Sequence, residues 1–233
     1  MSSLALVELI GELKRYLIFQ GLLGLEALPL AEPAAKRLAS LKEAEDLAAL
    51  EAQVRTCQRC RLAEGRTKLV FGEGRAPAEI MFIGEAPGAE EDLAGRPFVG
   101  PAGQLLTKII QAMGLDRQEV YIANVVKCRP PKNRTPQPDE VAACLPFLED
   151  QITLVRPKVI VALGSLAAQT LLAEKTPISR LRGRFHDRQG IPVMPTFHPS
   201  YLLRGEERPR KVLVWSDMKQ VLAKLGRPLR AGG

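Results

Sequence analysis

The sequence predicts an α/β protein, a three-layer α/β/α sandwich with a four-stranded parallel central sheet. Three observations predict it. Four short apolar runs recur along the chain: EIMFIG at 79–84, VYIANVV at 120–126, KVIVALG at 158–164 and PVMPTF at 192–197. Each is followed by a segment with helical spacing, and alternation of that kind builds a parallel sheet covered on both faces. The 233 residues, 46% hydrophobic and 25% charged, suit one large domain with an extension and are too few for two full domains.

The chain divides into a helical N-terminal extension at 1–50, a domain at 51–228 and a disordered tail at 229–233. In the extension Leu4, Val7, Leu9, Ile10, Leu13 and Leu17 form one stripe, broken between Pro29 and Pro33 before a second amphipathic run. It carries no recognisable chemistry. The stretch YLIFQGLLGLEALPLA from Tyr16 is interrupted by Gln20, Glu26 and Pro29 and falls short of the ~20 apolar residues that a membrane span needs. Glu8 and Glu12 precede Lys14 and Arg15, and no small-residue cleavage site follows, which argues against a signal peptide. The expectation is a cytoplasmic monomer without membrane contact.

In an open parallel sheet, ligands bind beyond the carboxyl ends of the strands. The segments that follow the four runs are GEAPGAEED, KCRPPKNRTP, GSLAAQ and HPSYLLR, so every unusual stretch falls on one rim. The 33 Lys and Arg against 26 Asp and Glu favour a polyanionic partner, nucleic acid before a membrane surface. KCRPPKNRTP sets Lys127, Arg129, Lys132 and Arg134 on a proline-stiffened backbone suited to reaching phosphates, with further basic loops at 180–184 and 204–211. Such a run is also what an ordinary solvated surface looks like. Ser165 stands where a helix N-cap is expected. His198 on the rim is either a structural histidine or a donor to a developing anion.

Four cysteines occur, Cys57 and Cys60 as C-x2-C, then Cys128, then Cys144 after fifteen intervening residues. Four soft sulfur ligands suit a structural zinc or an iron–sulfur cluster. The spread second pair leans toward a cluster, because zinc sites usually use two tight hooks.

Five ordered motifs, GEAPGAEED, FVGPAGQLL (98–106), NVVKCRPPKNR (124–134), HPSYLLR (198–204) and the four cysteines, together resemble the family 4 uracil-DNA glycosylases. The likeness runs from about Thr56 to Leu225 and leaves out residues 1–50. It implies an enzyme that flips uracil out of single- or double-stranded DNA, hydrolyses its N-glycosidic bond and leaves an abasic site, the first step of base excision repair. It also implies a 4Fe-4S cluster on Cys57, Cys60, Cys128 and Cys144. Glu85 would position or activate water, with Ala86 beside it. Phe98 would stack on uracil, Asn124 would read it, and His198 would donate near O2. Glu91 would stand near C5, where a bulky side chain rejects thymine. Ser200 and Arg204 join the four cations of 127–134 as DNA contacts, and Tyr201, Leu202 and Leu203 would fill the space left by the flipped base. Better known uracil glycosylases carry an aspartate where this chain has Ala86, which leaves the handling of water open. KCRPPKNRTP contains no histidine, unlike the basic loop of relatives that become covalently trapped on uracil DNA, so turnover is expected. The alternatives are a non-catalytic iron–sulfur DNA-binding module, against which Glu85 on the loop argues, and a zinc-stabilised hydrolase of nucleotides.

Overall fold

The computed structural model describes residues 47–203 and 207–228. Most of the expected helical extension, the tail 229–233 and Arg204 lie outside them. The helix α1 (Leu47–Arg55) runs across the boundary expected at residue 50 and buries Leu50 and Val54 completely. The chain continues through α2 (Leu62–Gly65) and a two-residue strand β1 (Glu73–Gly74) into β2 (Ile80–Gly84). Then come α3 (Ala89–Ala94), α4 (Pro101–Ala112), β3 (Tyr121–Asn124), α5 (Pro138–Val155) and β4 (Val159–Leu163). The remainder is α6 (Ser165–Leu172), α7 (Ile178–Leu181), β5 (His186–Arg188), β6 (Ile191–Thr196), α8 (Pro199–Leu202) and α9 (Glu207–Lys224).

The sheet order is β1-β3-β2-β4-β6-β5. The four inner strands are parallel and correspond to the four apolar runs, each within two residues. Two short antiparallel edges extend the sheet to six strands. Neither edge was expected, because strands of two and three polar residues are too short to show a period. β5 and β6 are joined by Gln189 and Gly190, whose φ values of 53° and 86° give the twist that a two-residue hairpin turn requires.

Alternation along the inner strands assigns the two faces. Met81, Ile83, Tyr121, Ala123, Ile160, Ala162 and Val193 face α1, α5, α6 and α7. Ile80, Phe82, Ile122, Val159, Val161, Leu163 and Met194 face α4 and α9. Both faces being covered, the inner strands read as continuous apolar runs.

At the carboxyl end of β6, fully buried Thr196 donates its hydroxyl to Asp217 of α9 at 2.6 Å. Arg182 closes on the same carboxylate at 2.5 and 3.2 Å and lies over the Phe197 ring. This cation of the 180–184 loop, expected on the DNA surface, instead fixes the strand end from which His198 departs. Arg180 and Arg184 remain exposed. Asp217→Ala should cost about 3–5 kcal/mol of stability, because it leaves a nearly buried guanidinium unpaired. Chemical denaturation checks this, and the double change with Arg182→Met should recover much of the loss.

Candidate active site

A cleft of about 430 Å³ opens at the carboxyl ends of the inner strands and gathers Glu85, Ala86, Glu91, Phe98, Asn124, Arg134, His198 and Ser200. Its walls follow from two glycines. A Cβ on Gly84 would come within 2.5 Å of both Asn124 Oδ1 and the Phe98 ring, and a Cβ on Gly103 would come within 1.9 Å of the Phe98 carbonyl oxygen. Without side chains at these points, Phe98 folds over the end of β2 with φ 51° and its ring 5.6 Å from that of His198. Asn124, at the end of β3, is 1% exposed, and its Oδ1 is a buried acceptor without a hydrogen-bond partner. A buried acceptor left unpaired is costly, so a donor arriving in the cleft gains by meeting it.

Glu91 stands three residues into the turn of α3. Its Oε2 accepts from the Gly88 N–H at 3.0 Å, and its Oε1 accepts from the N–H groups of Val99 and Gly100, both at 2.9 Å. The carboxylate thus joins the GEAPG turn to the segment carrying Phe98. Its charge is taken up by backbone donors, so the acidic cluster of the motif is resolved residue by residue. Asp92 is buried and accepts from the Thr67 N–H at 2.9 Å, while Glu90 is exposed. Glu85 borders the cleft, and burial raises its carboxyl above the usual range while a hydrogen bond from Thr135 opposes the shift. Thr135 is a residue that sequence reasoning passed over, since a threonine beside a proline in a basic loop carries no signal of its own.

His198 is the N-cap of α8, and its Nδ1 accepts from the Ser200 N–H at 3.1 Å and lies 2.8 Å from Ser200 Oγ. A backbone N–H can only donate, so Nδ1 carries no proton and the hydrogen sits on Nε2. Burial lowers the imidazole to about 4, so at neutral pH the ring is uncharged and offers one N–H. Ser200, expected on DNA, is at least partly occupied by this histidine. Gly164 is the N-cap of α6, with φ 92°, and Ser165 is its first helical residue. Leu202, expected in the space left by the base, is in the core, whereas Tyr201 and Leu203 are 44% and 42% exposed.

The basic loop largely turns inward. Lys127 is buried and donates to the Asn124 carbonyl and to Gln151, which overturns its assignment to phosphate. Arg134 lines the cleft and makes a bidentate pair with Glu140 at 2.6 and 2.8 Å. Arg129 donates to Asn133 at 2.8 Å, and Lys132 is exposed. Glu140, held at about 2 by Arg134, also accepts from Arg61 at 2.8 Å and from the Gln137 N–H at 2.7 Å. This one carboxylate therefore ties the C-x2-C hook to the loop and to the start of α5.

The four cysteines are free thiols that pack into one cluster of the core, Cys128 and Cys144 buried. N–H donors face three sulfurs: Arg59 N to Cys57 at 3.5 Å, Arg66 Nη1 to Cys128 at 3.4 Å and Lys127 N to Cys144 at 3.3 Å. Among the described residues, no three His, Cys, Asp or Glu side chains form a group that would hold a metal ion.

A narrow slot lined by an aromatic ring, a buried amide and a neutral imidazole at the switch end of a parallel sheet defines a site for a planar, hydrogen-bonding ring. The model of the uracil DNA glycosylase superfamily matches residues 71–219, which contain the whole cleft. The type-4 uracil-DNA glycosylase of Thermotoga maritima is 49% identical over 170 residues, 72% of this chain and 88% of that protein. That of Sulfurisphaera tokodaii is 43% identical over 186 residues, 76% of this chain and 84% of that protein. A type-5 uracil-DNA glycosylase of Pyrobaculum aerophilum shares 35% over 146 residues, 55% of this chain and 64% of that protein. The chain belongs to the uracil DNA glycosylase superfamily, in its type-4 family.

Glu91→Ala should release both loops that form the slot. Base release in a single turnover should fall about 100-fold, the scale of a 1 Å misplacement, with the melting temperature lowered by only a few degrees. An unchanged rate would show that Phe98 is held without the clamp.

Proposed function

We propose that the chain is a monofunctional uracil-DNA glycosylase that turns uracil out of DNA into the cleft and hydrolyses its N-glycosidic bond, leaving an abasic site and so initiating base excision repair. The observation that carries this reading is the unpartnered, buried Asn124 Oδ1 in the cleft that Phe98 and His198 also line. Uracil presents an N3–H donor beside the O4 acceptor, which one carboxamide satisfies, while cytosine presents the reverse and leaves both buried groups opposed. A bidentate contact of this kind is worth roughly 1–3 kcal/mol of discrimination. Phe98 stacks on the base, recovering part of the cost of unstacking it from DNA. Thymine would carry its methyl group toward the Glu91 side of the slot.

Bond cleavage develops positive charge on the deoxyribose and negative charge on the departing uracil. The neutral His198 donates its Nε2–H to the uracil oxygen on which charge accumulates, and being uncharged it requires no buried counter-ion. Glu85, as a carboxylate, stabilises the cationic sugar and orients the water that attacks it. Ala86 supplies no second carboxyl, so the water falls to Glu85 with Thr135 beside it. The exposed Lys132, Arg180 and Arg184 are suited to phosphates, and Tyr201 and Leu203 to the space vacated in the duplex, single-stranded DNA needing no such filling.

Cys57, Cys60, Cys128 and Cys144 would hold a 4Fe-4S cluster. The donor set fits it: four thiols in one neighbourhood, with N–H groups facing three of the sulfurs. A zinc ion needs its ligands converged on one point, whereas a cubane spreads them over four irons. Burial raises the Cys144 thiol to about 11 and raises Cys128 as well, so ionisation of these thiols is coupled to binding a cation. When bound, the cluster supplies a covalent staple between the hook, the 127–137 loop and α5, and no redox chemistry. Reduced thiols of this kind suit the cytoplasm. In the described residues no helix is long and apolar enough to cross a membrane, and we propose a monomer.

A labelled oligonucleotide with one uracil, treated with alkali after incubation, should break at that position, and an intact strand would sink the reading. The rate should fall on acidification as Glu85 protonates, with a midpoint above 4.5, the ordinary value for its carboxyl, because burial raises it. His198 stays neutral down to about 4 and sets no limb above that. Glu85→Gln should lower the rate by about 100- to 10,000-fold, the range for a positioned acid or base, and remove the limb. Purified protein should be brown, with iron and acid-labile sulfide in near-equal amounts. Stoichiometric zinc with neither would exclude the cluster.

A further inference from the structure

Lys127 poses a question that binding DNA does not answer. Its side chain is 1% exposed, at a position where methionine or leucine would fill the same space without desolvating an amine. Its Nζ lies 2.7 Å from the Asn124 carbonyl oxygen and 2.5 Å from Gln151 Oε1, both neutral oxygens. Gln151 is fixed in turn, its amide donating to the Phe71 carbonyl at 2.9 Å and to the Tyr121 hydroxyl at 3.2 Å. The main chain of Lys127 is held as well, its N–H facing Cys144 Sγ at 3.3 Å and its carbonyl accepting from the Val70 N–H at 2.9 Å. So the residue is anchored at both ends, and its free reach ends on the peptide of Asn124.

That peptide is where the sheet runs out. Asn124 pairs with Gly84 as the last residue of β3, and beyond it the chain is held to its neighbour by the Val125 and Val126 N–H groups, which donate to the Gly84 and Glu85 carbonyls at 2.9 and 3.2 Å. The Val125 N–H thus holds one edge of the Asn124–Val125 peptide and Lys127 Nζ holds the carbonyl on the other, and a tilt of that peptide swings the Cα–Cβ bond that carries the carboxamide. The pairing slot tolerates little of this, because Asn124 Oδ1 already lies where a Cβ on Gly84 would touch it.

We infer that Lys127 is a positioning residue for base recognition, locking the Asn124 peptide to the loop that carries Cys128 and to α5, which carries Cys144, so that the carboxamide faces the slot in one orientation. The inference rests on the proposed reading of uracil by Asn124. It gives the sulfur-bearing segments a path to the base that runs through one side chain.

The test is a double-mutant cycle on the full-length protein, measuring single-turnover uracil release, the affinity for free uracil and iron per chain. Lys127→Met should lower uracil release and uracil affinity together by about 10- to 100-fold, as a small misplacement of a recognition group does, with iron content unchanged. In the Asn124→Ala background the same substitution should change either quantity by less than about twofold, because nothing is left for it to position. An equal loss in both backgrounds, or no loss in the wild-type background, overturns the inference. Should Lys127→Met fail to fold or lose iron, Gln151→Met removes the second anchor of the amine away from the cysteines. It should give a smaller loss that also vanishes with Asn124→Ala, and persistence of that loss overturns the inference equally. If Asn124→Ala alone leaves uracil release unchanged, the base-reading proposal fails and this inference goes with it.

Discussion

The site depends on a volume that must stay empty, the space above the last residue of β2. Gly84 leaves it, and Phe98 and Asn124 close in from either side to within what a single Cβ would occupy. Because neighbouring parallel strands stand about 4.8 Å apart, side chains at their ends normally fan outward. Here the absence of one side chain lets two others approach instead. The ring and the amide then form a slot whose thickness is set by backbone positions and therefore varies little.

Holding that slot open is a matter of satisfying backbone donors with carboxylates and backbone acceptors with an amine. Glu91 gathers three N–H groups from two loops, and Lys127 takes a carbonyl at the strand end. Thr196 and Asp217 fix the strand from which His198 emerges, and the Ser200 N–H fixes the tautomer of its ring. The interior thus presents two neutral groups, an amide and an imidazole, to a neutral base. Of the charged groups that line the cleft, Glu91 is taken up by backbone donors and Arg134 by Glu140, which leaves Glu85 to face a sugar that would become cationic. A charged histidine would bind the uracil anion more strongly, but burial makes that form unfavourable, and a neutral donor gains strength as the negative charge develops.

Much of this was legible in the sequence and some of it was not, for physical reasons. The four inner strands were visible because burial on both faces demands continuous apolar residues, and the rim followed because open parallel sheets place their loops at one end. Glu85, Phe98, Asn124 and His198 came from motif likeness, and the structure brings all four to one cleft. The edges β1 and β5 left no trace, being short and polar. The destination of the cations was equally hidden. A sequence shows that Lys127, Arg134 and Arg182 are basic but not that buried or partly buried acceptors wait within reach of them. Each reads as surface, yet Lys127 is buried on neutral oxygens, and Arg134 and Arg182, partly buried, close on carboxylates. The clamp by Glu91 was hidden for the same reason, since its partners are backbone groups that every residue possesses.

This inward use of charge changes how a protein of net charge +7 meets a polyanion. The KCRPPKNRTP loop was the natural place to look for the DNA grip, yet of its four cations one is buried, one is paired and one donates to a neighbouring side chain. What the loop offers is mainly shape, a wall carrying Asn133, Arg134 and Thr135 beside Glu85, with Lys132 exposed. A flipped base has already been drawn in by the long-range field, which depends on net charge and not on any one lysine. What decides whether it reacts is whether the amide, the ring and the carboxylate stand where the bond will break. Two cations of this loop, Lys127 and Arg134, turn to Asn124, Gln151 and Glu140 and so fasten the loop beside those groups.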